Sequence, residues 1–104
     1  MKVQLLTFPG CPNAGAARDV LRLALESSGI RAIVEEVDTT APDAPEELRG
    51  WGSPTILVNG RDVVNESPGG ASCRLYRDAE GITRGTPDES VVRSALINLG
   101  RMSR

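Results

Sequence analysis

Val3-Gln4-Leu5-Leu6-Thr7-Phe8-Pro9-Gly10-Cys11-Pro12-Asn13-Ala14 is the stretch whose reading decides the fold. Its first six residues form a short apolar run that reads as a strand, ended by Pro9-Gly10. Cys11-Pro12 then opens a helix that continues to about Ser28. Pro12 fits the first helical turn, where a missing N–H costs nothing, and Gly29 fits the left-handed stop. Ala14, Ala17, Leu21, Ala24, Leu25 and Ser28 recur on one face with helical period. Ala16, Val20 and Leu23 add apolar surface behind that face. The polar stripe is then narrow (Arg18, Asp19, Arg22, Glu26), as in a helix packed between a sheet and another element.

Working outward, Arg31–Asp38 reads as a second strand, with Ala32, Ile33, Val34 and Val37 expected to be buried. Joined to the first strand by a helix, it makes a parallel crossover unit. Thr39–Pro45 is a polar connection, and Glu46–Arg49 forms a short helix before Gly50 and Gly52, which flank Trp51. Pro54–Val58 is a third strand. Asn59-Gly60 is a strong hairpin signal, and Arg61–Val64 returns antiparallel. Asn65–Ser72 is a loop, Cys73–Arg77 alternates like an edge strand, and Asp78-Ala79-Glu80-Gly81 is a turn. In Thr86-Pro87-Asp88-Glu89, Thr86 reads as a cap, Pro87 as the first helical position and Glu89 as the return arm of a capping box. Val92, Ala95, Leu96 and Leu99 form that helix's apolar stripe, Gly100 stops it, and Arg101–Arg104 is a frayed tail. The architecture expected is one α/β domain over residues 1–104: a mixed four-stranded sheet with helices on both faces and a candidate extra edge strand near 73–77.

Composition narrows the chemistry. The chain has 104 residues, a net charge of −2 and 39% hydrophobic residues, a globular composition large enough for one core. It contains no histidine, which removes Ser-His-Asp and Cys-His nucleophiles and every His-ligated metal site. Two cysteines alone do not close a tetrahedral zinc site. No basic stripe marks a nucleic-acid binder, and the three aromatics are too few for base stacking. Apolar runs are far shorter than a membrane span, and the first eight residues are too short and polar for a signal peptide. Cysteines 62 positions apart do not form a secreted disulfide framework, so a cytoplasmic location is expected. The acidic run Glu35, Glu36, Asp38, Asp43, Glu46 and Glu47 reads as a solvated face rather than a metal site.

Three places hold the chemistry that remains. Cys11 stands where the first strand gives way to its helix, and the free N–H groups and partial positive charge of a helix N-terminus favour a thiolate. Ser53-Pro54-Thr55 heads the third strand; on spacing alone its proline is an ordinary trans boundary. Cys73 is either a small apolar residue facing inward beside Leu75 or a second reactive thiol. Trp51 beside this loop reads as packing rather than as a groove wall.

Gly10-Cys11-Pro12-Asn13-Ala14 at a helix start, with Gly52-Ser53-Pro54-Thr55-Ile56 opening the hairpin, resembles the thioredoxin superfamily. The resemblance covers about residues 2–64 and the last helix and leaves 65–85 outside. Phe8–Asn13, Gly52–Thr55 and Ser72-Cys73-Arg74-Leu75-Tyr76 also resemble a small bacterial thioredoxin- or glutaredoxin-like group sometimes labelled with organomercurial lyase. The resemblance implies that Pro54 is cis and lies beside Cys11. It also implies that Pro12 and Pro54 shape a groove in which the backbone at Ser53 and Thr55 pairs with a thiol or peptide substrate. The chain departs from the family where the second motif cysteine falls, because position 14 is Ala14. A dithiol cycle inside the motif is therefore excluded.

The function expected is thiol–disulfide exchange with Cys11 as the attacking thiolate, resolved by Cys73 or by an external low-molecular-weight thiol. Its partners are protein or small-molecule thiols and disulfides, with no cofactor, no resident metal and a monomeric chain. Two other readings stand beside it. One is binding of a thiophilic metal or organomercurial by the two sulfurs, since thiolates prefer soft ions. The other is a redox-silent interaction module on the same fold.

Overall fold

The computed structural model describes residues 1–70 and 73–100. The tail Arg101–Arg104 and the last two residues of the loop, Ala71 and Ser72, lie outside the described residues. Four strands, β1 (Val3–Thr7), β2 (Val34–Asp38), β3 (Thr55–Val58) and β4 (Arg61–Asp62), form one sheet in the order β2-β1-β3-β4. β1 and β2 are parallel, with Val3 opposite Val34 and Thr7 opposite Asp38. β1 and β3 run antiparallel, with Val3 opposite Val58 and Leu6 opposite Thr55, and β4 folds back on β3. Among the described residues no helix is long and apolar enough to cross a membrane.

Alternation along the two central strands divides the core in two. Val3 and Leu5 of β1 and Ile56 and Val58 of β3 face the helices α1 (Ala14–Ser28) and α2 (Glu89–Gly100), packing on Ala17, Leu21, Ala24, Val92, Ala95 and Leu96. Leu6 and Leu57 point the other way, onto Leu48 and Trp51. Both α-helices therefore share one face. The opposite face is covered by a single 3₁₀ turn, Glu46–Leu48, and the tryptophan that follows it. The expectation of helices on both faces is corrected to this extent: the second cover is one short turn and an aromatic ring. Leu48 and Trp51 are large enough to close the face without a longer helix.

Several local signals act as their chemistry suggests. Gly29 takes φ 70° at the end of α1 and donates its N–H to the Glu26 carbonyl at 3.3 Å. Asn59 and Gly60, at φ 51° and 82°, make the β3–β4 turn. The Asn59 side chain also accepts the Lys2 N–H at 2.8 Å and donates to the Leu99 carbonyl at 3.2 Å. Ile33, expected inside, is 92% exposed. Its strand lies at the sheet edge and begins at Val34, one residue too late to turn Ile33 onto the core.

Neither helix starts where its motif suggested. α1 begins at Ala14, and its first i→i−4 bond runs from the Ala17 N–H to the Asn13 carbonyl at 2.9 Å. Pro12 keeps the preceding Cys11 out of helical geometry, so Cys11-Pro12-Asn13 is a turn ahead of the helix. α2 begins at Glu89, with the Asp88 carbonyl accepting the N–H groups of Val91 and Val92 at 3.1 Å each. The capping box does not form. The Glu89 carboxylate instead accepts from the Ser27 hydroxyl at 2.6 Å and from Arg93 at 2.9 Å, which ties α2 to α1.

Residues 73–77 do not extend the main sheet as an edge strand. Cys73 makes one parallel bridge to Ser53, and β5 (Tyr76–Arg77) pairs with β6 (Thr83–Arg84) in a separate hairpin. The Asp78 carboxylate holds this hairpin's turn, accepting from the N–H groups of Glu80 and Ile82 at 3.0 and 2.9 Å and from Arg84 Nε at 2.7 Å. The Arg84 bond, helped by the backbone bonds, holds the Asp78 carboxyl below its usual range. A depressed folded-state pKa gives stability that is present above the ordinary Asp value and lost as pH falls through the folded one. The Glu80 and Ile82 amides should therefore lose hydrogen-exchange protection as pH drops below about 4. Asp78→Ala, which removes the acceptor, should show weak protection at every pH; an acid-insensitive wild-type turn would refute the assignment.

Candidate functional site

The β1–β3 register sets the geometry of the candidate site. Leu6 pairs with Thr55, so the chain leaving β1 toward Cys11 emerges beside the turn that enters β3, Ser53-Pro54-Thr55. Cys11 is half-buried in the turn between β1 and α1. Its N–H donates to the Phe8 carbonyl at 3.2 Å, and its carbonyl accepts the Ala14 N–H at 3.4 Å. The first turn of α1 carries no acidic residue, and Asn13, its cap residue, makes no capping hydrogen bond. The positive end of the helix is left uncompensated next to the thiol. The Ser53–Pro54 peptide is cis, as the resemblance implies and contrary to the trans reading from spacing.

Asn13 does not cap because its carboxamide lies against the backbone of Gly85, just past β6. A Cβ at residue 85 would overlap that carboxamide. The hairpin that the family resemblance leaves outside is thus packed on the cysteine motif. Gly85→Ala should cost less than about 1 kcal/mol, because the group it meets is the end of the flexible, half-exposed Asn13 side chain, which can swing aside. A larger cost in urea unfolding, relieved in an Asn13→Ala background, would show that the carboxamide is held in place.

The entry turn of β3 is already engaged. The Ser53 carbonyl accepts the Arg74 N–H at 2.8 Å, and the Pro54 carbonyl accepts the Tyr76 hydroxyl at 2.6 Å. The Thr55 hydroxyl donates to the Gly52 carbonyl at 2.7 Å and accepts from the Arg74 guanidinium at 3.0 Å. Arg74 also reaches Asp62 at 3.0 and 2.5 Å and Glu66 at 3.2 Å. Its guanidinium lies over the rings of Tyr76 and Trp51, at 4.7 and 5.6 Å from their centroids. Burial opposes the Arg74 charge, but the Asp62 bond and the surrounding acids outweigh it and hold its pKa above the ordinary value. Burial pushes the Tyr76 phenol upward, keeping it a hydrogen-bond donor to Pro54. Ser53 is fully buried, and its hydroxyl finds no partner among the described residues.

Cys73 faces outward, not inward. It is exposed, as is Leu75, while Arg74 and Tyr76 take the inner positions. The alternation along 73–76 is real but its sides are reversed. The buried Asp62 carboxylate requires a cation, and Arg74 fills that place with its flat face against two aromatics. Cys73 borders a cleft of about 210 Å³ with Trp51, Gly52, Glu66, Arg74 and Leu75; Cys11 is not among its walls. Trp51 packs in the core, as its reading expects, and its edge also borders this cleft. Both cysteines are free thiols. Among the described residues no group of three or more Cys, Asp or Glu gathers as metal ligands.

Sequence reasoning missed the Asp62–Arg74–Glu66 network with its Thr55 and Tyr76 partners. The available signal was Arg74 and Tyr76 sharing one side of an alternating run. What the geometry defines is an α/β domain with a free thiol in the turn after its first strand and a segment of its own chain laid along the entry to its third. Comparison of the chain with family models, curated proteins and solved structures finds no match in any of the three.

Proposed function

We propose that the chain is a thioredoxin-like thiol–disulfide oxidoreductase with Cys11 as its nucleophile. The observation that carries this reading is the placement of the half-buried Cys11 thiol between β1 and the uncapped start of α1, at the sheet end where Ser53-Pro54-Thr55 enters β3. Pro12 fixes the turn that presents the thiol, and the cis Pro54, itself buried, sets the course of the chain entering β3 at the same sheet end. The Cys11 thiolate attacks one sulfur of a disulfide RS–SR, forming Cys11–S–S–R and expelling RS⁻. A second thiol, Cys73 or an external low-molecular-weight thiol R′SH, then attacks Cys11 Sγ and expels the second RS⁻. With two equivalents of R′SH the cycle closes: RSSR is reduced to two RSH, and R′SH is oxidised to R′SSR′. The test is the rate of disulfide exchange by wild type, Cys11→Ser and Cys73→Ser. The reading requires Cys11 for the first step and no metal or cofactor.

A further inference from the structure

From the way segment 73–77 lies on the entry to β3, we propose that the disulfide this site accepts is a low-molecular-weight one rather than an extended peptide. The inference rests on the exchange reading above and narrows its substrate class. An extended peptide binds beside a strand by pairing its main chain with free N–H and C=O groups. At this sheet end the carbonyls that would receive it are engaged by the chain itself. Ser53 bridges to Cys73 and accepts the Arg74 N–H, and Pro54 accepts the Tyr76 hydroxyl. The strap is held from beneath by the Arg74–Asp62 pair, whose side chains are 11% and 0% exposed. It is further anchored by the Thr55 hydroxyl and by the Tyr76 and Trp51 rings. A peptide strand would have to lift this strap and expose a buried carboxylate. A small disulfide needs only the sulfur of Cys11, a residue that is half-buried rather than closed off.

Two mixed disulfides with the same leaving group separate the alternatives: 2-mercaptoethanol joined to 5-thio-2-nitrobenzoate, and an extended cysteine peptide joined to the same thiol. In each, Cys11 attacks the non-chromophoric sulfur, the S–S bond breaks, and the coloured thiolate leaves. The wild-type rate constant, divided by that of free cysteine for each probe, should favour the small disulfide by on the order of tenfold or more, the worth of the two hydrogen bonds a peptide must displace. Equal or reversed preference overturns the substrate class while leaving Cys11 exchange standing. No reaction beyond that of Cys11→Ser with either probe overturns both. A second reading needs no variant. In the Cys11 adduct with 2-mercaptoethanol, the Arg74 amide should stay as protected from hydrogen exchange as in the free protein; loss of that protection would mean the strap lifts even for a small group.

Discussion

Cys11→Ser should reduce disulfide exchange to that of the exposed Cys73 thiol it retains, and to the uncatalysed rate when joined with Cys73→Ser, whereas Cys73→Ser alone should leave the first exchange step at Cys11 unchanged. A serine hydroxyl is not ionised near neutrality, and with no histidine in the chain no imidazole can activate it as a base–nucleophile pair. A thiol exchanges through its thiolate and needs no such base. The effect of Cys73→Ser falls on the second step. Position 14 holds alanine, so the mixed disulfide on Cys11 has no neighbour within its own motif to resolve it. If Cys73 resolves, one equivalent of disulfide leaves wild type with a Cys11–Cys73 disulfide and no adduct, while Cys73→Ser keeps one R group. If an external thiol resolves, wild type also keeps an R group and turns over only when that thiol is supplied. Intact-protein mass after one equivalent of disulfide distinguishes these results. Equal first-step rates for wild type and Cys11→Ser would defeat the proposed function, and the domain would then be read as a redox-silent module.

The largest loss of stability should come from Arg74→Ala or Asp62→Ala. Removing one partner of a buried ion pair leaves the other charge without compensation and costs about 3–5 kcal/mol. Here the Asp62 carboxylate is inaccessible, and Arg74 serves it together with Thr55, Glu66 and two aromatic rings. A loss of that size is a large share of the roughly 5–15 kcal/mol that holds a domain of this kind together. Replacing the pair jointly, Asp62→Leu with Arg74→Met, should recover most of it, because the joint change also removes the cost of desolvating two charges. Urea unfolding of the two singles and the double gives the coupling. The exposed Arg18–Glu36 pair is the control: it should be weak and screened by salt. If the single changes at 62 and 74 are as mild as those at the control pair, the network is not what fixes the strap.

Much of the sheet was legible because local chemistry and long-range packing agree there. The apolar run of β1, the Asn59-Gly60 turn and the stripe Val92, Ala95 and Leu96 each specify one arrangement. The position of Cys11 was legible too, because Pro9-Gly10 ends β1 just ahead of it and α1 begins at Ala14. What was not legible depends on partners distant in sequence. Asp62 reads as an ordinary hairpin residue until Arg74, 12 positions later, is placed beneath it. The inward side of 73–76 could not be assigned from alternation, because apolarity pointed to Cys73 and Leu75 while a buried carboxylate claimed Arg74. Glu89 had two possible bonding directions, and the cross-helix partner Ser27 lies 62 positions away. The start of α1 shifted for a local reason, the restriction that Pro12 places on Cys11.

The chain has a single tryptophan, and it lies on the thinly covered face of the sheet, with the strap's guanidinium over its ring. Its emission therefore reports the strap contact together with the small core cluster of Leu6, Leu48 and Leu57. A spectral shift while far-ultraviolet dichroism holds constant reports the strap leaving its seat. The two signals moving together report unfolding.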